Sequence, residues 1–361
     1  MDKIIVKLGA RSYQIISGYH ILNQLGSVLK KIDIGTDAFI VTNNFLKNKY
    51  GLKLASVLTK AGINSFFYIV PDSEKSKSIE TASLVIKSLA GFDKNKKVFV
   101  VAFGGGVIGD LSGFVASIYK RGVSYIQIPT TLLAQVDSAI GGKTALDLAL
   151  GKNLVGAFYQ PKIVFSEIEF LKSLDKIQLS SGMAEVIKYA IIKDAKLFNF
   201  LENNHLAVIS GRKQALQKIV SSCSNIKAKI TSLDEKESLG IRTILNFGHT
   251  IGHAIEAAGT YQKYNHGQAV GLGMIAAVNL SVELKLIDVR LALRIKNLIK
   301  LYGLPQKLKG VSVEKIIRAH YYDKKFCGSC NKFVLIRAIG QTKIVRNVKL
   351  DLIKEAVKSI G

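Results

Sequence analysis

The chain has 361 residues, which exceeds the usual size of one hydrophobic core and predicts two domains. Its 48% hydrophobic content argues against disorder, and no apolar run reaches the roughly 18 residues of a membrane-spanning helix, so no membrane partner is expected. The net charge of +25 comes mostly from dispersed lysines, without an arginine-rich block or a basic stripe interleaved with aromatic residues, which argues against a nucleic-acid partner.

Strand-like and helix-like segments alternate in the first half of the chain. The N-terminus alternates apolar and polar residues as strands do and lacks the continuous apolar core of a signal peptide, which predicts a cytoplasmic protein. The further predicted strands are 37–42, 63–70, 96–103 and 124–129, and the predicted helices are 78–92 and the segment after a glycine turn in 104–122. This alternation predicts a Rossmann-like, doubly wound parallel sheet in which the apolar strand 96–103 is buried on both faces.

From about residue 174 the predicted elements are mainly helical. Apolar residues recur at helical spacing in 179–202, 211–233, 269–286 and 288–303, and strand signals return only weakly at 332–340. We therefore divide the chain into an α/β N-terminal domain, residues 1–173, and a mainly α-helical C-terminal domain, residues 174–361.

A glycine-rich turn follows the apolar strand. Gly104, Gly106 and Gly109 satisfy GxGxxG between a strand and a helix, where glycine lets a pyrophosphate approach the free backbone N–H groups. The ordinary fingerprint also has an acidic residue about 20 residues further on, but here the next strand ends in IQIPTT. The motif therefore predicts either a nucleotide site of a variant kind or a tight structural turn.

The segment 128–161 combines glycines with cationic and amide side chains. Gly142-Lys143-Thr144 is similar to the end of a P-loop, but Asp137 stands where a P-loop requires glycine, so we reject a P-loop. Lys143, Lys152 and Asn153 remain as donors for an anionic substrate or as residues of a solvated loop.

Three of the six histidines, His249, His253 and His266, fall in one short stretch. His249 and His253 lie one helical turn apart, a spacing that can chelate one metal, but HTIGH lacks the glutamate of the HExxH protease motif. Glu185 and Glu256 are candidate carboxylate ligands. Spacing alone favours His249 and His253 as ligands with His266 third, and the alternative is that all three are histidines satisfied in a helical core.

The three cysteines are too few for a disulfide framework, which favours a reducing compartment. Cys327 and Cys330 have CxxC spacing, but no second pair completes a four-cysteine zinc site.

Taken together, several motifs in a fixed order resemble the 3-dehydroquinate synthase family over about residues 70 to 340. In chain order they are DSEKSKS, GGGVIGDLSGFVASIYKRGVSYIQIPTTLLAQVDSAIGGKTA, GKNLVGAFYQP, SGMAEVIKYAIIKD, DEKESLGIRTILNFGHTIGHAIE, NHGQAVGLGM and DKK. The resemblance implies conversion of 3-deoxy-D-arabino-heptulosonate 7-phosphate, a phosphorylated keto-acid sugar, to 3-dehydroquinate and phosphate in the shikimate pathway of aromatic amino-acid biosynthesis. It also implies the cofactors NAD and a divalent metal, Zn²⁺ or Co²⁺.

The resemblance implies roles for individual residues. The implied metal ligands are Glu185, His249 and His266, with His253 facing the substrate as a polar or proton-transferring group. The implied substrate-pocket residues are Asp137, Lys143, Asn153, Lys188, Lys227, Arg242 and Asn246. The implied NAD-contacting residues are Asp72, Ser73, Glu74, Lys75, Ser76, Lys77, Gly106, Val107, Ile108, Gly109, Asp110, Thr130, Thr131, Lys143, Lys152, Phe170, Leu171, Lys172 and Ser173. Arg121 is implied to reach the site of a neighbouring subunit, which predicts a homodimer, and Lys324 or Lys325 to close on the phosphate.

The implied chemistry suits these residue types. Several cations match a substrate with a carboxylate and a phosphate, and two neutral imidazoles with a carboxylate leave metal positions open for substrate hydroxyls. The metal would polarise the hydroxyl that NAD⁺ oxidises, after which phosphate leaves by elimination. Hydride then returns from NADH, and ring opening and intramolecular aldol closure follow.

Two alternatives have related chemistry. A metal-dependent polyol or alcohol dehydrogenase shares the two-domain layout and the glycine turn, but a neutral alcohol needs no cluster of lysines. Another sugar phosphate cyclase would act on a different phosphate, such as glucose 6-phosphate.

Asn43 stands where dinucleotide enzymes often place an acid for the adenine ribose, which leaves the preference for NAD over NADP open.

Overall fold

The computed structural model describes residues 1–322 and 331–361. The chain divides into two compact units: Met1–Leu174 with Leu216–Lys236, and Asp175–Ala215 with Glu237–Gly361. The sequence division after residue 173 places all of 216–236 in the second domain, whereas the structure groups this segment with the first unit. The reason is packing, since Ala228 is buried in one core cluster with Ile15 and Val164 of the first unit.

The described residues form the strands β1 to β11 and the helices α1 to α14. The strands are β1 Asp2–Val6, β2 Tyr13–Gly18, β3 Asp37–Thr42, β4 Asn64–Ile69, β5 Val98–Gly104, β6 Tyr125–Pro129, β7 Lys143–Leu148, β8 Gly151–Phe158, β9 Ile163–Glu167, β10 Lys332–Ala338 and β11 Gln341–Arg346. The helices are α1 Leu25–Lys31, α2 Asn44–Leu46, α3 Leu52–Lys60, α4 Ile79–Phe92, α5 Gly106–Ile118, α6 Lys176–Lys193, α7 Ala195–Asn203, α8 His205–Ile209, α9 Lys213–Leu233, α10 His249–Ala258, α11 His266–Glu283, α12 Val289–Leu301, α13 Val313–Tyr322 and α14 Leu350–Lys358.

A seven-stranded sheet organises the first unit, in the order β1-β2-β9-β6-β5-β3-β4. β1 is antiparallel to β2, and the other neighbouring strands are parallel. Phe99, Val101 and Phe103 of β5 pack in one core cluster, and Val100 and Ala102 pack in the cluster on the opposite face. The predicted fold class, a parallel-sheet α/β domain followed by a mainly helical domain, is therefore confirmed.

The second unit is built mainly from helices, with the two-stranded antiparallel sheet of β10 and β11. The predicted helix 179–202 is interrupted, because Asp194 ends α6 and its Oδ1 accepts a hydrogen bond from Leu197 N at 2.9 Å to cap α7. None of the described helices combines the length and apolar character that crossing a membrane requires.

The glycine-rich segment after β6 holds structure that periodicity does not predict. It contains a π-helical turn, Ala134–Ser138, and the antiparallel hairpin of β7 and β8. At the end of β3, Asn43 is buried and its Oδ1 accepts a hydrogen bond from Leu46 N at 2.9 Å. The Asn43 amide therefore caps α2, which gives this residue a structural role.

Candidate active site

Three side chains of the second unit bring metal-binding atoms together. Glu185 lies in the middle of α6, whereas His249 and His266 are the first residues of α10 and α11. Glu185 Oε1 is 3.3 Å from His249 Nε2 and 3.4 Å from His266 Nε2. The three donor atoms lie within 4.8 Å of one another, and Glu185 is fully buried. One carboxylate and two imidazoles suit Zn²⁺ or Co²⁺ and leave a coordination position open.

Close helix packing explains why these donors converge. A Cβ on Gly273 of α11 would overlap the carbonyl oxygen of Gly248, the residue before α10. A Cβ on Gly267 would overlap the backbone of Ser181 in α6, whose Oγ accepts a hydrogen bond from Gly267 N at 3.1 Å. Glycine at both positions lets α11 approach its two neighbours closely, so the donors on three helices meet.

Charges around the donors set their protonation. Burial alone would raise the pKa of Glu185, but the Lys188 ammonium and His249 hold it well below its usual value. Burial and the charge of Lys188 lower the pKa of His249, which favours the neutral imidazole. Burial would also lower the pKa of His266, yet hydrogen bonding to Glu185 and Glu256 raises it to about 10. A metal ion bound here would therefore displace a proton from His266.

His253 lies one turn after His249 on α10. Its ring centroid is 5.3 Å from that of His249 and 6.4 Å from that of His266. Spacing alone selects His249 and His253 as ligands, whereas the Glu185 carboxylate lies against His249 and His266. The three donors are compatible with the ligand set that the resemblance implies, which stays a prediction. His253 and His266 also form a second group of possible donors with Glu256.

Buried cations accompany the donors in the second unit. Lys188 is 1% exposed and forms an ion pair with Glu185, three residues earlier on α6. Arg242 is 2% exposed, and its Nε is 3.3 Å from Glu237 Oε1. Asn246 ends the same 3₁₀ helix that contains Arg242. Each of these buried cations therefore has a carboxylate partner within the unit. Ammonium and guanidinium groups are also suited to bind an anionic substrate.

The glycine turn of the first unit lies against two hydroxyl-bearing side chains. A Cβ on Gly105 would lie 3.0 Å from Thr131 Cγ2, and one on Gly106 would lie 3.1 Å from Ser138 Oγ. Helix α5 begins at Gly106 without a side-chain cap, and Ser138 Oγ is buried with no hydrogen-bond partner among the described residues. An uncapped helix N-terminus beside such a hydroxyl fits the diphosphate of NAD. Motif matching does not select Ser138 because only the folded chain brings it to the turn.

A polar cluster lies beside α5. Lys77 Nζ is 2.8 Å from Asp110 Oδ2, 2.6 Å from Asn153 Oδ1 and 3.8 Å from Asp147 Oδ1. Burial would lower the pKa of Lys77, but Asp110 raises it above its ordinary value. Burial raises the pKa of Asp110 to about 6 in spite of the Lys77 charge. Two residues predicted to contact NAD, Lys77 and Asp110, thus share one cluster with Asn153, which is predicted to bind substrate.

Another ion pair in the first unit joins Lys227 of α9 to Asp137. Their side chains are 9% and 18% exposed. Lys143 is exposed at the start of β7, and Lys152 Nζ is 3.5 Å from Glu74 Oε1. The structure therefore places two predicted substrate residues in contact and leaves Lys143 accessible.

Several residues predicted to contact NAD contribute to the core. Phe170 packs against Tyr50 and Phe103, with ring centroids 4.7 and 5.5 Å apart, and Leu171 is buried. Both residues are part of the core, and their predicted contact with NAD stays a prediction. Buried positions also include Ser76, Ile108, Gly109 and Thr130, whereas exposed or half-buried positions include Asp72, Ser73, Glu74, Lys75, Val107, Lys172 and Ser173.

Arg121 is exposed at the end of the 3₁₀ helix Tyr119–Arg121, with a left-handed backbone at φ 66°. Residues 323–330, which include Lys324, Lys325 and the cysteine pair, lie outside the described residues. What the sequence predicts for them stays a prediction.

Known proteins are similar to this chain over nearly its full length. Residues 67–181 match the family model described as 3-dehydroquinate synthase N-terminal, and residues 182–326 match the one described as 3-dehydroquinate synthase C-terminal. A 3-dehydroquinate synthase from Thermoanaerobacter pseudethanolicus is 41% identical over 354 residues, which cover 98% of this chain and 99% of the relative.

Solved structures share the fold. A 2-deoxy-scyllo-inosose synthase complexed with carbaglucose-6-phosphate, NAD⁺ and Co²⁺ superposes with a TM-score of 0.90 at 24% identity, covering 99% of each chain. A 2-epi-5-epi-valiolone synthase from Streptomyces hygroscopicus with NAD⁺ and Zn²⁺ bound has a TM-score of 0.87 at 25% identity, covering 96% of each chain.

Proposed function

This chain belongs to the 3-dehydroquinate synthase family, and we propose on that premise that it is a lyase that converts 3-deoxy-D-arabino-heptulosonate 7-phosphate to 3-dehydroquinate and phosphate. The observation that carries the proposal is the convergence of Glu185 Oε1 on the Nε2 atoms of His249 and His266. When bound, NAD⁺ would supply a reversible hydride acceptor, and a divalent ion held by these donors would supply a Lewis acid. The solved 2-epi-5-epi-valiolone synthase, which holds NAD⁺ and Zn²⁺, supports both cofactors.

The chain's own residues would bind the substrate and move its protons. In the second unit, Lys188 and Arg242 offer buried cations to the carboxylate and the phosphate. His253 would hold or transfer a proton of a substrate hydroxyl. In the first unit, Lys227 and Asp137 would orient polar groups of the substrate as a pair. Lys143, Asn153 and Asn246 would complete the hydrogen bonds to hydroxyls, and Lys324 or Lys325 would contact the phosphate.

The NAD site of the proposal is the glycine turn and its surroundings. The uncapped start of α5 would bind the diphosphate through backbone N–H groups, and Ser138 Oγ would donate a further hydrogen bond. Lys77 and Asp110 would border the site as an ion pair.

The assay that tests the function follows phosphate and NADH together. With the heptulosonate phosphate, NAD⁺ and Zn²⁺ or Co²⁺, we expect phosphate release without net NADH. NADH that accumulates in step with substrate oxidation would indicate a dehydrogenase instead. Phosphate release from glucose 6-phosphate, and none from the heptulosonate phosphate, would indicate another sugar phosphate cyclase.

A homodimer in the cytoplasm is part of the proposal. Arg121, exposed at the end of a 3₁₀ helix, would reach the site of a second copy. Sedimentation gives the oligomeric state. Mixing the Arg121→Ala and Lys188→Ala variants tests whether each active site takes Arg121 from the second copy. Hybrid dimers would regain activity at one of their two sites, whereas an Arg121 that acts within its own chain would give no recovery.

A further inference from the structure

The two imidazoles that face Glu185 are held in different ways. His249 Nδ1 is 3.1 Å from the carbonyl oxygen of Phe247, so its Nδ1–H has a backbone acceptor while Nε2 points to Glu185. His266 has Nε2 at 3.4 Å from Glu185 Oε1 and Nδ1 at 3.6 Å from Glu256 Oε2. One ring is therefore oriented by a neutral backbone group, and the other faces a carboxylate.

Glu256 is suited to act on His266 because of its place on α10. It lies seven residues after His249, on the face of the helix that also carries His253. Glu256 is 5% exposed and its side chain points to the first residue of α11. Burying a carboxylate is costly unless a polar or charged group interacts with it, and the ring nitrogen of His266 is such a group for Glu256.

A hydrogen-bond acceptor at one nitrogen of a metal-binding imidazole determines which of the two ring nitrogens keeps its proton. A carboxylate at Nδ1 holds the proton there, leaves the Nε2 lone pair for the metal and makes the ring a stronger ligand. We infer that Glu256 is a positioning residue that accepts the Nδ1–H of His266 and so orients this ring toward the metal. The inference rests on the metal-dependent function proposed above.

The test measures metal affinity directly on the full chain, without turnover. Zn²⁺ dissociation constants are determined by competition with a chromophoric chelator for wild type, Glu256→Gln and Glu256→Ala. Glu256→Ala should bind Zn²⁺ about 10- to 100-fold more weakly, the usual cost of losing such a partner. Glu256→Gln should lie between the two, because its amide oxygen still accepts the proton but carries no charge. The matched control is Glu283→Gln, an equal charge change at an exposed position of α11, which should leave the affinity unchanged.

The Co²⁺ absorption spectrum separates positioning from direct coordination. His253, Glu256 and His266 also form a group of possible donors, so Glu256 could instead be a ligand. If it orients His266, Glu256→Gln saturated with Co²⁺ keeps the band intensity of wild type. Band positions and an intensity that differ from those of wild type at saturation would show a changed ligand set and overturn the inference.

The remaining outcomes are also decisive. Equal Zn²⁺ affinity of wild type and Glu256→Ala would overturn the inference and leave the proposed function intact. A wild type that binds no divalent ion would overturn both. The midpoint of metal-free unfolding and the NAD⁺ affinity monitor general damage in each variant, and a weaker Zn²⁺ affinity counts in favour only where both are preserved.

Discussion

Lys227 of α9 forms an ion pair with Asp137, a residue ninety positions earlier in the chain. The contact joins the segment that returns to the first unit with the π-helical turn after β6. Both side chains are largely removed from solvent, so the ion pair offsets part of the cost of burying each charge.

We expect Lys227→Ala to destabilise the protein by about 1–3 kcal/mol, because it leaves the Asp137 charge without this partner. Urea unfolding of Lys227→Ala, Asp137→Ala and the double variant forms a double-mutant cycle. The double variant should lose less stability than the sum of the single variants. Strict additivity would mean that the pair contributes no coupling.

Removing single histidines should separate metal binding from proton transfer. His266→Ala should abolish stoichiometric metal after dialysis, since it deletes one of three donors. His253→Ala should retain the metal and lose about 10²- to 10⁴-fold in rate, the usual contribution of a general acid or base. Metal content by atomic emission and steady-state rates give the answer, and the reverse pattern would exchange the two roles.

Lys188→Ala should weaken ligands that carry both phosphate and carboxylate far more than it weakens NAD⁺. The buried ammonium belongs to the second unit, whereas the glycine turn belongs to the first. Calorimetric titration with a substrate analogue and with NAD⁺ measures both affinities. An equal loss for the two ligands would argue that Lys188 serves general stability.

The Asp110 carboxyl should give stability an unusual pH dependence. Its pKa is about 6 in the folded protein, against an ordinary 3.8, so the folded state holds this proton more tightly than the unfolded state does. The stabilisation is complete below the ordinary pKa and is lost as the pH rises through about 6. The advantage of wild type over Asp110→Asn in free energy of unfolding should therefore shrink from pH 4 to pH 7, by at most about 3 kcal/mol. Partial exposure of the side chain reduces this bound, and a growing advantage would contradict the assignment.

Gly273→Ala should unfold or severely destabilise the second unit, by more than about 3 kcal/mol, because its Cβ would overlap the Gly248 carbonyl oxygen. The matched control is Gly91→Ala in α4, where a Cβ meets nothing within 4 Å and where alanine favours the helix. We expect Gly91→Ala to be neutral or stabilising. Thermal unfolding of both variants provides the comparison, and similar midpoints would mean that α10 and α11 can separate without loss.

Local patterns in the sequence predict the elements that depend on local physics. The apolar run that became β5, and the glycines that begin α5, follow from burial and from backbone geometry within a few residues. The sequence does not predict the hairpin of β7 and β8, because apolar and polar residues do not alternate clearly in its strands. Its turn, Ala149–Leu150, also lacks a residue pair typical of hairpin turns.

The sequence alone predicts the candidate site only in part, because contacts between distant parts of the chain bring its residues together. Helical spacing pairs His249 with His253, but Glu185 lies on another helix, and the packing of α11 against its neighbours, which its glycines permit, brings the carboxylate to the imidazoles. The residue types offer Glu185 and Glu256 as candidate carboxylates without choosing between them, and the family resemblance selects Glu185 as the predicted ligand. Neither helical spacing nor the family resemblance predicts the ion pair of Lys77 with Asp110, because that pair forms only in the folded first unit.

The return of Leu216–Lys236 to the first unit limits how this protein can be cut or synthesised. Ser224 Oγ on this segment donates to the carbonyl oxygen of Gln135, and Ser232 Oγ accepts from Lys7 N at 2.8 Å. A gene fragment that stops after residue 174 would encode a sheet without its covering ninth helix, with apolar surface open to aggregation. On the ribosome, the nascent first unit cannot complete its core until that helix has emerged, well after its last strand.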